Sequence, residues 1–319
     1  MYQDLFKIPY LNFPVHSFGV MLVIGFMLAM SLAKVLARRS RIDPEIIANA
    51  ALIALVAGVI GARLSHVLEN WAQYTDPHRS VWANFREAIN ITEGGLTYYG
   101  GFLLATAACV GYGLWKRVPI RTGMDLLAPC IMIGLGFGRI GCFLNGCCYG
   151  AECNLPWAVQ FPYHSYAFMD EYAQNTLKTP VPVELLSEPN EWGERYPLPV
   201  EEVGPQPQLK SNPLHPAQLY SAFTAFLLAG MLFAYFTLPH VPGRVFALMM
   251  AVEGVCRFLL ELLRAEPRRY LGYTASLGMV QGILIAAGGL ALWVIFGLMR
   301  NHAAKPQAGQ AIPRTSAIA

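Results

Sequence analysis

Three arginines and one glutamate lie within or beside apolar stretches of this sequence, where charged side chains are rare. Arg139 lies near the end of a glycine-rich apolar run. Arg257, Glu261 and Arg264 follow at spacings of four and three residues, which on a helix place all three on one face. Charges at membrane depth face a bundle interior or a watery cavity. Because guanidinium groups bind phosphate oxygens in bidentate fashion, these residues predict a site for a phosphate-bearing headgroup.

Both clusters also have structural interpretations. Arg139 can snorkel from a tightly packed helix, and the other three charges can form an internal ion pair that locks two helices together. The many glycines from Gly134 to Gly150 favour binding, because they allow close backbone approach and a broken helix end that opens a cavity. The further candidate binding residues of this stretch are Asn145, Gly146 and Gly150.

Two other segments carry groups that can exchange protons. His215 precedes Pro216, a residue favoured in a first helical turn, so His215 is expected at the membrane surface, close to Gln218 and Tyr220. Tyr99 lies before a pair of glycines, where it belongs either to an interfacial aromatic belt or beside a bound headgroup.

Long apolar runs must position these residues. Of the 319 residues, 55% are hydrophobic and 13% charged, against about a quarter charged in soluble domains. A spanning helix needs about twenty mainly apolar residues, and about seven stretches qualify. We place them at Phe18–Ala37, Ile46–His66, Leu96–Trp115, Met124–Phe143, Leu214–Phe236, Val245–Leu263 and Thr274–Met299.

Flanking basic residues predict the orientation, because cytoplasmic loops are rich in Lys and Arg. Basic residues follow the first, third and last runs, which places the N-terminus outside and the C-terminus in the cytoplasm. The polar segments Glu69–Gly94 and Ala151–Pro213 then lie outside. Arg264–Arg269 also falls outside, against the rule, which indicates another role for these arginines.

The segment 151–213 has no run long enough to span and predicts a small extramembrane head, in which Trp157–Phe161 alternates like a short strand. Residues 1–302 then form one membrane domain with this insert, and the polar tail 303–319 is predicted to be disordered. No dense basic and aromatic patch indicates nucleic-acid binding.

Four cysteines fall close together: Cys142, Cys147, Cys148 and Cys153. Their spacing lacks the paired C-x2-C of common zinc sites, so we predict no metal and no other cofactor. An oxidising exterior permits disulfides that join Cys147 or Cys148 to Cys153 or Cys142. Small buried packing residues are the favoured interpretation.

Motifs in a fixed order extend over most of the chain, from His16 to about Gln281. They are Gly61, Arg63 and Leu64; Gly100 and Gly101; Gly138, Arg139, Gly141, Phe143, Asn145, Gly146 and Gly150; Pro156, Trp157, Phe161 and Pro162; His215–Tyr220; and Arg257–Arg264. In this respect the sequence resembles the prolipoprotein diacylglyceryl transferase family.

The resemblance implies an all-α polytopic membrane protein of the bacterial inner membrane, with about seven transmembrane helices and a small periplasmic head. It implies transfer of the diacylglyceryl group of phosphatidylglycerol to the cysteine thiol of a preprolipoprotein lipobox, with release of glycerol phosphate. We expect Arg139 and Arg257 to hold the phosphate and Glu261 to orient an arginine. By the same resemblance Arg63, Gly100, Gly101 and Arg264 join the substrate-binding residues.

Four positions depart from the family pattern. Tyr99 stands where the family has histidine, Phe18 where it has tyrosine, and Cys142 and Cys147 where it has asparagine and glutamate. Because the acceptor thiol must lose its proton, we expect Tyr99 or His215 to share that work.

These departures keep two alternatives open. One is a paralogue with a different lipid donor or acceptor, and the other is a non-catalytic protein that binds phospholipid. The sequence shows no inverted repeat of the kind that transporters have.

Overall fold

The structure is a computed structural model that describes residues 4–8, 13–75, 80–90, 97–190, 192–204, 208–264 and 276–303. Helices dominate this part of the chain. They are α1 (Ser17–Arg39), α2 (Pro44–Glu69), α3 (Val81–Ile89), α4 (Tyr98–Trp115), α5 (Ile120–Asn145), α6 (Tyr166–Ala173), α7 (Val200–Val203), α8 (Ala217–Thr237), α9 (Arg244–Glu261) and α10 (Leu277–Ala303).

Five of these helices, α1, α2, α5, α8 and α10, are long and apolar enough to cross a membrane. Helix α4 is apolar but shorter. Helix α9 has 18 residues, and its charged residues include Glu253 and Arg257. The chain is therefore a multi-pass membrane protein, and each of the seven predicted runs overlaps one helix. The predicted starts Leu96 and Thr274, and the tail from 304 onward, lie outside the described residues.

A short antiparallel hairpin precedes α1 and departs from the all-α prediction. Strand β1 (Asp4–Ile8) pairs with β2 (Phe13–His16), and Lys7 lies opposite Pro14. Strands this short contain too few residues for a clear alternating pattern, so the sequence did not predict them.

The predicted strand at Trp157–Phe161 is wrong. Trp157 lies in a turn, and the segment makes only an isolated bridge, between Val159 and Leu214. The alternating residues pair with the chain that leads back to α8 instead of with a neighbouring strand. This pairing delays the start of α8 from the predicted Leu214 to Ala217.

The main core lies where α1, α5, α8 and α9 meet. Its fully buried side chains include Leu36, Leu126, Leu232 and Val245. Membrane helices associate through van der Waals packing, so this interdigitation holds the bundle together.

Asp125 fixes α9 against α5. It is buried near the start of α5 and accepts hydrogen bonds from the backbone N–H groups of Gly243 (2.6 Å) and Phe246 (2.9 Å), at the beginning of α9. A carboxylate at a helix N-terminus satisfies unpaired N–H groups and complements the helix dipole. The contact therefore sets the register between the helices that carry Arg139 and Arg257.

Glycines allow two helix pairs to approach closely. A Cβ on Gly61 of α2 would lie 2.5 Å from the carbonyl oxygen of Gly100 on α4. A Cβ on Gly254 of α9 would lie 2.6 Å from the carbonyl oxygen of Gly282 on α10. Small residues at such contacts are typical of membrane helix packing.

The segment 151–213 contains part of a small core, in which Phe161 and Ala167 pack with Leu214. Within it, buried Glu171 on α6 accepts a hydrogen bond of 2.9 Å from the N–H of Asn212. This bond ties the middle of the insert to the chain that returns to α8.

Candidate active site

A buried glutamate organises the charged face of α9. The Glu261 Oε2 atom lies 3.4 Å from Arg257 Nη2 and 3.7 Å from Arg264 Nη1, and its side chain is only 3% exposed. Arg257 and Glu261 share one face of α9, as predicted, whereas Arg264 lies after the end of the helix, which is Glu261. A buried carboxylate that contacts two guanidinium groups holds both in place.

The start of α10 closes over the same carboxylate. Ser276 Oγ donates a hydrogen bond of 2.9 Å to Glu261 Oε1 and also accepts one from the N–H of Met279, which makes it the cap of α10. A Cβ on Gly278 would lie 2.5 Å from the Glu261 carboxyl carbon. The sequence interpretation missed both residues, although a serine just before an apolar run is a known helix-start signal.

Arg139 on α5 interacts electrostatically with this cluster. Glu253 lies one turn before Arg257 and interacts electrostatically with both Arg139 and Arg257. The sequence interpretation missed Glu253, although its spacing of four residues before Arg257 repeats the spacing of Arg257 and Glu261.

The cluster carries a positive excess. Three arginines, Arg139, Arg257 and Arg264, stand against two glutamates, Glu253 and Glu261, so the formal charge is +1. In the low dielectric of a bundle interior such an excess attracts an anion strongly. The arrangement therefore suits a phosphate group.

Gly150 joins three segments at the edge of this cluster. Its N–H donates to the carbonyl oxygen of His215 (2.9 Å), while the N–H of Ala151 donates to that of Leu263 (2.7 Å). A Cβ on Gly150 would lie 2.6 Å from His215 Cβ and 2.7 Å from the Leu263 carbonyl oxygen. Only glycine fits, and it brings His215 next to the end of α9.

His215 and Tyr220 form one hydrogen-bonded group, as their spacing predicted. The His215 Nδ1 atom lies 3.4 Å from Tyr220 Oη, which accepts a hydrogen bond of 2.7 Å from Trp157 Nε1. Gln218 points elsewhere: it is fully buried, and its Nε2 donates to the carbonyl oxygen of Cys147 at 2.7 Å.

The end of α5 turns sharply towards the same region. Gly146 has φ +76°, the left-handed conformation typical of the residue after a helix, and a Cβ there would contact the Phe161 ring at 3.3 Å. Cys147 donates its N–H to the carbonyl oxygen of Cys142 at 3.1 Å, and Asn145 Nδ2 lies 3.9 Å from Cys147 Sγ. The chain thereby folds back on the last turn of the helix.

This turn brings three thiols together, although the sequence favoured a role for them as small packing residues. The Sγ atoms of Cys142, Cys147 and Cys148 all lie within 4.8 Å of one another. Hydrogen bonds with Cys142 and Cys147 lower the pKa of the Cys148 thiol. The positive charges of Arg139 and Arg264 act on that pKa in the same direction.

Tyr99 and the glycines after it occupy a different contact. Tyr99 is 54% exposed, and its Oη accepts a hydrogen bond of 2.6 Å from Gln281 Nε2 on α10. Gly100 and Gly101 pack α4 against α2, and a Cβ on Gly101 would lie 2.9 Å from the Gly58 carbonyl oxygen. No contact of these residues with Arg139 is seen in the described part of the chain, so their role in the site stays a prediction.

Arg63 supports a surface helix. Its Nε and Nη2 atoms donate to the carbonyl oxygens of Ala88 (2.8 Å) and Glu87 (2.7 Å) at the end of α3, and its guanidinium lies over the Tyr74 ring. These contacts position α3 relative to α2. The expected contact of Arg63 with substrate stays a prediction.

Comparison with known proteins agrees with this arrangement. The family described as "Prolipoprotein diacylglyceryl transferase" matches residues 3–295. The chain belongs to this family. The resemblance inferred from the motifs is therefore confirmed.

Similar family members come from several bacteria, and each is named phosphatidylglycerol–prolipoprotein diacylglyceryl transferase. The protein of Clostridium tetani is 26% identical over 254 residues, which cover 80% of this chain and 82% of its own length. That of Corynebacterium glutamicum is 26% identical over 298 residues, covering 92% and 82%. That of Corynebacterium diphtheriae is 27% identical over 292 residues, covering 91% and 90%.

Three departures of this prolipoprotein diacylglyceryl transferase family member lie near the end of α5. Phe18 packs on the last turns of α5, where a Cβ on Gly141 would lie 2.9 Å from the Phe18 ring. Cys142 follows directly and belongs to the thiol cluster with Cys147. Cys142 and Cys147 therefore lie beside Cys148, with which Arg139 and Arg264 interact electrostatically, while altered Tyr99 lies at the contact between α4 and α10.

Proposed function

We propose that this protein transfers the diacylglyceryl group of phosphatidylglycerol to the thiol of the lipobox cysteine in preprolipoproteins, a step of lipoprotein biogenesis. The observation that carries the proposal is the pairing of Arg257 and Arg264 with buried Glu261, together with the electrostatic interaction of Arg139 with Arg257 and Glu253. Membership of the family supports the same reaction.

In this reaction the acceptor sulfur attacks a glycerol carbon of the lipid. A C–S bond forms, the C–O bond to phosphate breaks, and the electron pair leaves with glycerol phosphate. Negative charge grows on the leaving phosphate, so fixed arginines stabilise the transition state more than the bound lipid. We assign this role to Arg139 and Arg257, with Glu261 and Arg264 holding the arginine cluster in place.

The remaining predicted residues have supporting roles. Gly146 and Gly150 let the backbone turn and approach closely beside the arginines, and Asn145 lies at the same helix end. His215, hydrogen-bonded to Tyr220, is the nearest imidazole to this junction among the described residues, and we assign it to proton transfer from the acceptor thiol. Tyr99 is the second phenol available for this work.

The proposed setting is the bacterial inner membrane. We propose that α4 and α9 also span it, in addition to the five longer apolar helices, which gives seven spanning helices. Helix α9 carries more charge than lipid-facing helices tolerate, but its charges pair within the bundle. The arginines in the last turn of α1 support a cytoplasmic location for that end, and we therefore assign the N-terminus and the head 151–213 to the periplasm and the C-terminus to the cytoplasm.

Arginine variants test the assignment. In phosphatidylglycerol vesicles with a lipobox peptide, we expect Arg139→Ala and Arg257→Ala to reduce transfer at least about 100-fold, as loss of a transition-state contact does. Arg38→Ala is the matched control, because Arg38 is an exposed arginine at the other end of the bundle. Equal activity of Arg139→Ala and Arg38→Ala would overturn the assignment.

A paralogue with a different lipid donor or acceptor is the second candidate. The thiols at positions 142 and 147, beside the arginines, favour it, because they change the polar groups nearest the headgroup. Parallel assays with phosphatidylethanolamine and cardiolipin vesicles decide between the two. A preference for either lipid over phosphatidylglycerol supports the paralogue, and lipid that stays bound but is never altered indicates a non-catalytic binder.

A further inference from the structure

The thiol cluster has the composition of a soft metal site. Its three members, Cys142, Cys147 and Cys148, offer one sulfur each, and all are partly buried. Thiolate sulfur selects zinc and copper over magnesium and calcium, which prefer oxygen. We propose that Cys142, Cys147 and Cys148 bind one Zn²⁺ ion through three sulfur ligands, with the fourth position open.

The distances allow such a site. Zn–S bonds of about 2.3 Å in a tetrahedral arrangement place the sulfurs about 3.8 Å apart. The three Sγ atoms already lie within 4.8 Å of one another. The sulfurs therefore need to approach one another by at most about 1 Å.

The backbone holds the ligands in this arrangement. Gly146 (φ +76°) and Cys148 (φ +59°) both adopt the left-handed conformation, which folds the chain back towards Cys142. The carbonyl oxygen of Cys147 accepts a hydrogen bond from Nε2 of buried Gln218. The backbone N–H of Cys147 donates a hydrogen bond to the carbonyl oxygen of Cys142. Ligands that are fixed before the ion arrives bind it with less loss of entropy.

The surrounding charges suit the complex. Three thiolates and one Zn²⁺ ion carry a net charge of −1, and both Arg139 and Arg264 interact electrostatically with Cys148. A hard cation such as Mg²⁺ would bind this cluster more weakly than Zn²⁺, because such cations prefer oxygen ligands. No carboxylate belongs to the cluster in the described part of the chain.

The open fourth coordination position gives the zinc site a role in the proposed transfer reaction. This role rests on the proposed transferase function. Among the described residues no fourth side chain joins the three sulfurs, and catalytic zinc sites keep one position for water or substrate. We assign it to the acceptor cysteine, whose thiol would lose its proton to His215 as the sulfur binds the ion. The resulting thiolate attacks the glycerol carbon beside the arginines that hold the phosphate.

Metal titration tests the site without any substrate. The full-length protein, reduced, stripped of metal and kept in detergent, is titrated with Zn²⁺ against a chromophoric chelator, and Mg²⁺ is the negative control. We expect one Zn²⁺ per chain. Cys142→Ser and Cys148→Ser should weaken binding more than about 100-fold, because even outer-shell changes cost 10–100-fold.

Cys153→Ser is the matched control, since Cys153 follows on the same segment but lies outside the cluster. It should bind Zn²⁺ like the wild type. Co²⁺ in the wild-type protein gives an independent readout, because the intensity of its sulfur charge-transfer absorption counts the thiolate ligands. That absorption should correspond to three sulfurs and should fall by one third in any single cluster variant that folds.

Three results would overturn the site: no stoichiometric Zn²⁺ in the wild type, unchanged affinity in Cys142→Ser, or a Co²⁺ spectrum without sulfur ligands. The experiments distinguish failure of the proposed zinc site from failure of the proposed transferase function. Transfer activity that persists after complete removal of metal overturns the acceptor role but leaves the transferase function. Stoichiometric Zn²⁺ on three sulfurs without any lipid transfer supports the site and overturns the transferase function.

Discussion

Glu261 is the residue on which the arginine cluster depends most. It is buried between Arg257 and Arg264 and accepts a hydrogen bond from Ser276. Removal of one partner from a buried ion pair leaves an uncompensated charge, which costs far more than an exposed pair contributes. The residue therefore couples the stability of the bundle to the geometry of the site.

We expect Glu261→Gln to lower the free energy of unfolding by about 3 kcal/mol, because two arginines lose their buried anion. Transfer activity should fall as well, since Arg257 loses its orientation. Unfolding in detergent and the peptide transfer assay measure the two effects. Glu202→Gln, at an exposed glutamate of the head, is the control, and equal behaviour of the two variants would refute this role.

Gly150 makes a second prediction at the scale of one residue. Gly150→Ala should disrupt the junction of His215 and Leu263, because its Cβ would lie 2.6 Å from His215 Cβ. Loss of activity should accompany a small loss of stability. Gly111→Ala is the matched control, since nothing lies within 4 Å of a Cβ there. Full activity in Gly150→Ala would show that the junction tolerates displacement.

The sequence predicted the charged residues of the site better than its thiols. Arg257 and Glu261 were predictable because helical spacing alone places them on one face, whereas Arg264 reaches Glu261 from the turn after the helix. The approach of Cys148 to Cys142 was not, because it depends on left-handed φ angles at Gly146 and Cys148 itself. Spacing rules for zinc sites do not contain that backbone geometry.

At the scale of elements, α3 presents an uncovered apolar face. Val81, Trp82, Phe85 and Ile89 are all more than half exposed, while Arg63 holds the end of the helix against α2. A short amphipathic helix tethered beside spanning helices is typical of the membrane interface. We infer that α3 lies on the bilayer surface with this face in the lipid.

Fluorescence quenching measures that depth. Brominated lipids should quench Trp82, so the quenched fraction should fall in Trp82→Phe. Trp192→Phe should not lower it, because we expect Trp192, which is 85% exposed in the segment 151–213, to be unquenched. An undiminished quenched fraction in Trp82→Phe would place α3 away from the lipid.

The head contains a buried carboxylate that gives it a pH dependence. Burial, and less strongly the nearby Glu152, raise the pKa of Glu171 above its ordinary value. The folded head then binds a proton more tightly than the unfolded chain. Its stability is therefore highest at acid pH and decreases as pH rises from the ordinary carboxyl pKa through the raised value.

Glu171→Gln should remove this dependence and stabilise the head at neutral pH, because glutamine keeps an acceptor oxygen for the Asn212 N–H without the buried charge. Hydrogen exchange of the head between about pH 4 and pH 7 measures the effect. Glu188→Gln, at an exposed position, serves as control. A variant head that is less protected at pH 7 would contradict the argument.

Helices were predictable from the sequence to a greater extent than the short strands. Each apolar run is long enough to predict a helix from the sequence alone. The β1–β2 hairpin and the bridge of Val159 to Leu214 depend instead on pairing between short segments. The start of α8 moved for the same reason, since Leu214 is held by that bridge.

At the scale of the whole molecule, the fold brings the ends of α5 and α9 together from distant parts of the chain. Asp125 fixes one end of this helix pair, and Gly150 joins the segments at the other. The arginines thus reach one site although more than a hundred residues separate Arg139 from Arg257. The periodicity of the sequence predicts the helices but not which of their ends meet.

The peptide transfer reaction of the wild-type protein tests the central claim most directly. The protein is incubated with a lipobox peptide in vesicles of phosphatidylglycerol, and in parallel in vesicles of phosphatidylethanolamine alone, and the peptide mass is measured. We predict addition of one diacylglyceryl group, matched by release of glycerol phosphate, only where phosphatidylglycerol is present. An unchanged peptide mass, with a folded protein that retains phosphatidylglycerol, would contradict the account.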